Sequence, residues 1–216
     1  AGVVRYRPDF TARQALRTRA FWLISLGHGL ALLTVSAVMV HLALHLTEGL
    51  GYSLAAAGGV VAMLTVFQML GQVSGGYLGD RFDKRWICAV CMLAHTTGLL
   101  LVTFATTWWM VVAFAVFHGL AWGSRAPLMV ALRADYFGPR SFGTIMGFSS
   151  LIAMIGMSSG PLVAGYLADV SGNYRFGLAL LASLSLLGAF AFLAATPPKP
   201  PAAPGDAAAG DAAAAP

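Results

Sequence analysis

Between two long apolar runs lies the charged segment Gly76-Tyr77-Leu78-Gly79-Asp80-Arg81-Phe82-Asp83-Lys84-Arg85. The 31 residues between Glu48 and Asp80 contain no Asp, Glu, Lys or Arg, and neither do the 28 residues between Arg19 and Glu48. A helix needs about 20 apolar residues to cross a bilayer. Each uncharged run therefore predicts one membrane-spanning helix, and the charged segment predicts the loop that follows the second helix.

The composition of the whole chain agrees with membrane insertion. Of its 216 residues, 58% are hydrophobic and only 10% are charged, and the mean hydropathy is +0.77. A soluble domain carries about 25% charged residues, so this chain has too few to cover a water-facing surface. The net charge of +5 does not indicate nucleic-acid binding, because the basic residues lie at predicted helix ends rather than on one face.

The apolar runs predict six transmembrane helices, separated by short segments that are rich in glycine, proline or charge. Residues 1–19 are expected to be a basic cytoplasmic linker, and residues 197–216 a disordered Pro/Ala-rich cytoplasmic tail. The six-helix domain occupies residues 20–196. Its helices are predicted at about 20–46, 53–79, 86–105, 108–133, 142–168 and 175–196.

The distribution of Lys and Arg predicts the orientation of the helices. If the N-terminus lies inside, 11 of the 13 basic residues lie in inside segments, Arg175 lies outside, and Arg125 lies within a helix. We therefore expect a multi-pass protein, of the bacterial inner membrane, with both termini in the cytoplasm. The inside residues are Arg5, Arg7, Arg13, Arg17, Arg19, Arg81, Lys84, Arg85, Arg133, Arg140 and Lys199.

Two short sequences recur at nearly the same offset. Residues 28–31 (His-Gly-Leu-Ala) recur at 118–121, and residues 76–80 (Gly-Tyr-Leu-Gly-Asp) recur at 165–169 as Gly-Tyr-Leu-Ala-Asp. The pattern predicts two three-helix repeats, residues 20–105 and 108–196, with the second inverted in the membrane because three is an odd number. Inverted repeats are typical of secondary transporters. Chance similarity between helices rich in Gly, Leu and Ala is the alternative.

The charged segment has the form G-x-x-x-D-R-x-x-K-R, which resembles the signature loop of the major facilitator superfamily. That loop joins the second and third helices of each six-helix half. Gly160-Pro161, followed by Gly165, is also similar to this family. The resemblance implies a twelve-helix fold, of which this chain is the C-terminal half. It also implies that an N-terminal six-helix half, or a second copy, is a partner.

The resemblance further implies that the loop is a gate latch that breaks and re-forms during transport, with Gly76, Asp80, Arg81, Lys84 and Arg85 as its residues. Asp80 is expected to accept hydrogen bonds from a neighbouring helix N-terminus, or to pair with Arg133 near the end of the fourth helix. The alternative is that the basic residues only anchor the loop inside. Gly71, Gly75 and Gly79 predict a smooth helix face beside it.

Arg125 is the only formally charged residue deep within a predicted helix. An ionisable residue inside the membrane is by default a candidate functional residue, and a guanidinium can bind a carboxylate with two parallel hydrogen bonds. His118 lies seven residues earlier, on the same face of the helix. We therefore expect both residues in a substrate site. The alternative is that Arg125 extends to the inside surface or serves the cytoplasmic gate.

The second predicted helix carries a polar stripe, Thr65, Gln68 and Gln72. The stripe is expected to line a water-filled cavity; hydrogen bonding between helices is the alternative. His28, which the repeat relates to His118, is a further candidate for substrate binding. Either histidine could carry a proton near neutral pH, and packing is an equally open interpretation.

Residues 134–138 and 141–144 resemble the monocarboxylate and oxalate/formate group of the superfamily. In that group the substrate-binding cations lie in the helices corresponding to the second and fifth here, and neither of these contains Lys or Arg. Oxalate-type recognition is therefore disfavoured. The expected function is secondary active transport of a small organic solute, monocarboxylate-like, by alternating access. Multidrug or other solute efflux, and a non-transporting sensor or scaffold, are the alternatives.

No enzyme activity, cofactor or metal site is expected. An intramembrane serine protease needs a histidine within reach of its nucleophile, and no histidine follows His118. Cys88 and Cys91 form a C-x-x-C motif, but no second cysteine pair accompanies it. The two thiols are interpreted as small packing residues. The expected partners are thus a small organic solute, membrane lipid and another six-helix half.

Overall fold

The computed structural model describes residues 9–201, and in this range it contains only helices, turns and loops. The helices are α1 (Ala12–Leu16), α2 (Arg19–Leu44), α3 (Leu54–Gly79), α4 (Lys84–Thr103), α5 (Trp108–Phe137), α6 (Phe142–Ser171) and α7 (Arg175–Ala194). A π-helical turn, His45–Gly49, extends α2.

The six long helices, α2 to α7, correspond to the six that the sequence predicts. Five of them are long and apolar enough to span a membrane. The sixth, α5, has 30 residues but carries the buried polar side chains of His118, Arg125 and Arg133. It also ends at Phe137 rather than near 133. It stops where Gly138 takes a φ of 74°, which a residue with a Cβ adopts only at a cost.

The described part of the predicted linker, residues 9–19, contains the short helix α1. Thr11 caps the short helix α1 by accepting a hydrogen bond from the backbone of Gln14, whose side chain in turn accepts from the backbone N–H of Thr11. Phe10 is buried edge-on against Phe137 of α5, and its N–H donates to the Phe137 carbonyl. Residues 1–8 and 202–216, including most of the predicted tail, lie outside the described range.

The packing of the helices follows the predicted repeats. The first helix of each repeat packs mainly on the second helix of the other, as α2 on α6 and α5 on α3. The third helices, α4 and α7, pack on each other, and each also packs on the first helix of the opposite repeat. Contacts within a repeat are few by comparison. Exchanging the two repeats therefore reproduces the same set of contacts, as an inverted-repeat fold requires.

Glycines allow α3 to approach α5 closely, and likewise α6 to approach α2. A Cβ at Gly71 would lie 2.5 Å from the Leu120 carbonyl oxygen, and a Cβ at Gly75 would overlap the backbone of Ser124. At the related contact, Gly156 and Gly160 of α6 meet the backbone of α2. These close approaches agree with the smooth glycine face that the sequence predicts for α3.

Both described termini and the α3–α4 loop lie at one end of the bundle. Lys84 pairs with Asp135 there, at 2.7 Å. The Tyr136 hydroxyl donates to the carbonyl of Ala195 at 2.7 Å, and Phe10 contacts Phe137 at the same helix end. At the opposite end, His41 stacks on Tyr174 with ring centroids 5.1 Å apart. This arrangement agrees with an even number of crossings.

Two helices are much less buried than the others. The most apolar 18-residue stretches of α3 and α6 are 22% and 28% buried, whereas those of α2, α4 and α7 are each 50% buried. Large apolar side chains on both helices are exposed, including Met69 and Val73 on α3 and Ile155 and Leu162 on α6. These two helices therefore carry the open face of the bundle.

Candidate functional site

The helix α5 carries three buried polar side chains, His118, Arg125 and Arg133. Their exposed fractions are 0%, 2% and 1%. On a helix of 3.6 residues per turn, the seven residues from His118 to Arg125 return to nearly the same direction, whereas the eight residues from Arg125 to Arg133 end about 80° away from it. His118 and Arg125 therefore share one face of α5, and Arg133 is buried on an adjoining face.

Arg133 is the centre of a buried hydrogen-bond network. Its Nε and Nη2 donate to the Ser149 hydroxyl of α6 at 3.0 and 2.6 Å, and its Nη1 donates to the Met129 carbonyl at 2.8 Å. Nη2 also lies 3.1 Å from Nδ1 of His28 on α2. Ser149 is bonded in turn to the Ser25 hydroxyl at 2.7 Å. The network joins α2, α5 and α6.

This network corrects the expectation that Arg133 pairs with Asp80. The guanidinium of Arg133 points into the bundle, where Ser149 and His28 occupy its donors, while Asp80 is exposed at the end of α3. Arg133 is therefore not part of the loop. It belongs to the polar side chains in the interior of the bundle, which we call the buried polar cluster: Ser25, His28, His95, His118, Arg125, Arg133 and Ser149. The reason is local: α5 continues to Phe137, so Arg133 lies one turn inside the helix end rather than at it.

Arg125 is buried without the partners that Arg133 has. Its Nε atom lacks a hydrogen-bond partner among residues 9–201. The sequence predicts Arg125 and His118 on one face, and the structure agrees. That face is directed into this bundle, since neither side chain is exposed to solvent.

His118 pairs with His95 of α4. Their Nδ1 atoms are 3.0 Å apart, and the Nε2 atoms of both rings are buried without a partner in the described part of the chain. One Nδ1 must donate and the other accept, so one ring is left with a buried N–H and the other with a buried lone pair at Nε2. An unsatisfied buried polar atom costs about 1–3 kcal/mol.

The buried guanidiniums have no carboxylate near them. Within residues 9–201, every acidic side chain is exposed. The buried polar cluster therefore carries two positive charges that the described chain does not neutralise. A buried charge without a counter-charge is strongly unfavourable. The exposed acids are Asp9, Glu48, Asp80, Asp83, Asp135 and Asp169.

The polar stripe on α3 lies apart from this cluster. Thr65 and Gln72 are exposed and Gln68 is half-buried, on a helix that belongs to the open face. The Thr65 hydroxyl donates to the Val61 carbonyl of its own helix. The six residues predicted to bind substrate therefore form two groups: the stripe, and the buried cluster that contains His28, His118 and Arg125.

The α3–α4 loop has its own contacts. The Arg81 guanidinium lies over the Tyr77 ring at 3.9 Å and donates to the Tyr77 hydroxyl. Asp83 caps α4 by accepting from the backbone of Arg85 at 2.9 Å. Lys84 reaches Asp135 near the end of α5. Gly76 faces open space, since a Cβ there would meet nothing within 4 Å.

Sequence reasoning missed the residues that organise the cluster. Ser25, Ser149 and His95 are polar residues on apolar helices, and only their neighbours in space distinguish them from other small or packing residues. The sequence does not indicate Asp135 as an ion-pair partner, because it lies in a stretch that is notable only for its resemblance to a family. Its position close after Arg133, on a helix that continues to Phe137, is the signal that could have identified it.

A cavity of about 530 Å³ lies at the opposite end of the bundle from the Lys84–Asp135 pair. His45, Glu48, Asp169, Tyr174 and Arg175 contribute to its lining. Burial raises the pKa of the Tyr174 hydroxyl, and Glu48 and Asp169 raise it further. None of the predicted substrate residues lines this cavity.

Comparison with known families identifies a match over most of the chain. The model of the Major Facilitator Superfamily matches residues 24–216. Monocarboxylate transporter 13 of Rattus norvegicus is 27% identical over 154 residues, which cover 69% of this chain and 35% of the relative. A multidrug resistance protein B homolog of Mycobacterium tuberculosis is 29% identical over 115 residues, or 53% of this chain and 20% of the relative.

Among solved structures, a mutant of the peptide transporter POT superposes with a TM-score of 0.73 at 17% identity. The match covers 89% of this chain and 43% of that transporter. The likeness confirms the predicted fold, half of a major facilitator bundle. The chain spans about a third or less of the length of the two curated relatives described above, and less than half of the solved transporter.

Proposed function

Because the chain belongs to the Major Facilitator Superfamily, we propose that it is one half of a secondary active transporter for a small organic anion of the monocarboxylate class. The observation that carries the choice of an anion is Arg125. It is a guanidinium, 2% exposed, in a bundle whose described carboxylates are all at the surface. A carboxylate solute would supply the missing counter-charge and could bind the guanidinium with two hydrogen bonds.

Transport proceeds by alternating access in this proposal. Because Arg125 is only 2% exposed, a solute binds it only after helices around it move apart. Thr65, Gln68 and Gln72 lie on the open face of α3 and provide polar contacts along the path of entry. The Nε2 atoms of the buried pair His95–His118 lack hydrogen-bond partners. Water or solute that reaches the pair would supply the missing hydrogen bonds.

The open face of α3 and α6 is proposed to meet another six-helix half, supplied by the same gene product or by a second copy. Two facts support this partner. The two helices are the least buried of the bundle, and the relatives are two to five times longer than the matched segment. A second half would provide the opposite wall of a central cavity, as repeats do in this kind of transporter.

The α3–α4 loop is proposed to be the gate latch, with Asp80, Arg81, Lys84 and Arg85 at the cytoplasmic surface. The Lys84–Asp135 pair supports this role because it joins the loop to the helix that carries Arg125. The excess of Lys and Arg at this end supports cytoplasmic termini. We infer that the membrane is a bacterial inner membrane.

Multidrug efflux is the second candidate, since the Mycobacterium tuberculosis relative is named for drug resistance. The charge of the buried cluster argues against cationic drugs, because two guanidiniums would repel them and no buried carboxylate would bind them. A non-transporting sensor or scaffold is the third candidate. It would give no reason to retain an unpaired buried arginine.

The test is transport by the complete gene product in proteoliposomes, under an imposed proton gradient and with an opposing solute. Labelled acetate, pyruvate and benzoate probe anion transport, and labelled tetraphenylphosphonium probes cation efflux. We expect carboxylate accumulation above that of protein-free liposomes. Movement of the cation alone would favour efflux, and movement of neither under any gradient would favour a sensor or scaffold.

A further inference from the structure

The ring of His28 has a defined hydrogen-bonding role. Nη2 of Arg133 lies 3.1 Å from Nδ1 of His28. A guanidinium can only donate, so Nδ1 must accept with its lone pair. The neutral ring then carries its hydrogen on Nε2.

Arg133 cannot readily turn away from His28. Its Nε and Nη2 are bonded to Ser149, and Nη1 is bonded to the Met129 carbonyl, so all three nitrogens have partners. The guanidinium is 1% exposed and cannot exchange these partners for water. Nη2, the donor that faces His28, is therefore held in place by the bonds of the guanidinium to Ser149 and Met129.

The charges around His28 also oppose an imidazolium. Arg133, which bonds to the ring, and Arg125, which is buried on the same helix, are both positively charged. Beside His28 on α2, Gly27 packs against the apolar ring of Phe192, which belongs to α7. From α6 the network offers the neutral hydroxyl of Ser149.

The remaining charged groups of the neighbouring helices are distant from His28. The only charged residue on α6, Asp169, and the only one on α7, Arg175, line the cavity at the opposite end of the bundle. On α4 the charged residues are the two cations of its first turn, Lys84 and Arg85, and the interior groups are two buried thiols and His95; α3 contains no charged residue. No carboxylate in residues 9–201 is buried where it could stabilise a positive ring.

The Nε2 atom of His28 differs from those of the other interior histidines. The Nε2 atoms of His95 and His118 are buried without a partner, whereas Nε2 of the half-buried His28 is not among the buried orphan atoms and is bonded to no described residue. Its N–H is therefore reachable. Among the imidazoles of the buried polar cluster, His28 is the one that can offer a hydrogen bond to an incoming molecule.

We propose that His28 is a neutral hydrogen-bond donor to the transported solute, that Arg133 is the positioning residue that fixes its Nε2–H tautomer, and that the group recognised is an oxygen acceptor of a carboxylate. The inference rests on the proposed anion transport. Of the two roles that the sequence leaves open for His28, a proton carrier or a packing residue, the proposal adopts neither, because a ring that accepts from an arginine does not bind a proton at the same atom.

The first test measures the tautomer without any solute. Solid-state NMR of the complete gene product, labelled with ring-15N histidine, distinguishes protonated from unprotonated ring nitrogens. A His28→Asn sample assigns the signal by difference. We expect a neutral ring with its hydrogen on Nε2 from pH 5 to pH 8. In Arg133→Gln the ring should become partly cationic at pH 5, since the ordinary histidine pKa is about 6.5. A cationic ring or an Nδ1–H tautomer in the wild type would overturn the proposal.

The second test measures solute recognition. The amide nitrogen of Gln can occupy about the position of Nε2, whereas that of Asn lies near the position of Nδ1. His28→Gln should therefore retain more carboxylate uptake than His28→Asn. Loss of a hydrogen bond to a charged group costs about 1.5–3 kcal/mol, so we expect kcat/KM to fall by about tenfold or more in His28→Asn. Equal uptake by the two variants would contradict a donor role.

The pH profile separates positioning from a purely structural role. Uptake by the wild type, at a fixed gradient, should show no His28 titration between pH 5 and pH 8, and Arg133→Gln should introduce one. If the wild type moves none of the carboxylates, the proposed function and the carboxylate contact both fail. The NMR result then still decides whether Arg133 fixes the tautomer of His28.

Discussion

Lys84 at the start of α4 and Asp135 near the end of α5 form an ion pair of 2.7 Å that joins the first repeat to the second. The two side chains are 19% and 54% exposed. Exposed pairs of this kind contribute about 0–1 kcal/mol to stability. The pair is therefore better suited to hold one conformation transiently than to stabilise the fold.

Reversing the charge of either partner is expected to slow transport several-fold. Lys84→Asp places two carboxylates together and Asp135→Lys places two ammonium groups together, so the conformation with this contact becomes less populated. The double variant Lys84→Asp/Asp135→Lys restores the attraction and should recover much of the rate. Initial uptake rates in proteoliposomes check this, and a double variant as slow as the slower single variant would contradict it.

Asp80→Asn should slow turnover with little change in apparent substrate affinity. Asp80 is exposed at the end of α3 and unpaired within residues 9–201, so its carboxylate is available to a helix N-terminus of another half. Asp169→Asn is the matched control, because the repeat relates Asp169 to Asp80 at the opposite end of the bundle. The kcat and KM of uptake distinguish the outcomes. A large rise in KM with normal kcat would exclude the latch role.

Arg125→Ala should abolish carboxylate uptake while leaving membrane insertion intact. Arg125→Lys keeps the charge but loses the paired donors, so it should retain a fraction of the activity. Arg125→Met should melt at or above the wild-type temperature, because it removes an unpaired buried charge with little change in volume. Unchanged uptake by the Ala variant would rule out the site, and a sharply lower melting temperature for Met would show that Arg125 has a stabilising partner.

Ser149→Ala should be more destabilising than Ser25→Ala. The Ser149 hydroxyl accepts two N–H bonds from Arg133, so its removal leaves buried charged donors unsatisfied, at a cost of about 1–3 kcal/mol or more. Ser25→Ala removes only the partner of the Ser149 hydroxyl. Thermal unfolding in detergent compares the two. Equal melting temperatures would mean that Arg133 finds another acceptor.

Gly75→Ala and Gly76→Ala form a matched pair on adjacent positions of α3. A Cβ at Gly75 overlaps the backbone of Ser124, whereas one at Gly76 meets nothing within 4 Å. Gly75→Ala must therefore push α3 away from α5, which is expected to cost at least 1–3 kcal/mol. Gly76→Ala should fold as well as the wild type. The monodisperse fraction after detergent extraction is a sufficient readout, and the reverse order would contradict the observed helix contact.

The regular features of this protein could be predicted from the sequence. Uncharged runs define the helices because the bilayer imposes their length, and the repeated sequences at 28–31 and 118–121 reveal the inverted triplets. Helix ends were less predictable. The end of α5 depends on Gly138, and the helix α1 depends on burial of Phe10 against a residue more than a hundred positions away.

The site was predicted in part. The sequence indicates Arg125 because a charge inside a membrane is unfavourable, and indicates His118 by its spacing of seven residues; the two do lie on one face. The sequence cannot show towards which helix that face turns. The sequence places Arg133 at a predicted helix end beside the loop, whereas its bonds to Ser149 and His28 depend on the crossing of three helices.

The first two helices of each repeat pack mainly on helices of the other repeat, and this has a consequence for biosynthesis. When α2 and α3 enter the membrane, the helices against which they pack, α6 and α5, have not yet been synthesised. The glycine-rich sides of the early helices must then face lipid, or a chaperone of the insertion machinery, until translation is nearly complete. The final assembly of the bundle is therefore late and cooperative, and a ribosome that stalls after α4 would leave three helices without a stable arrangement.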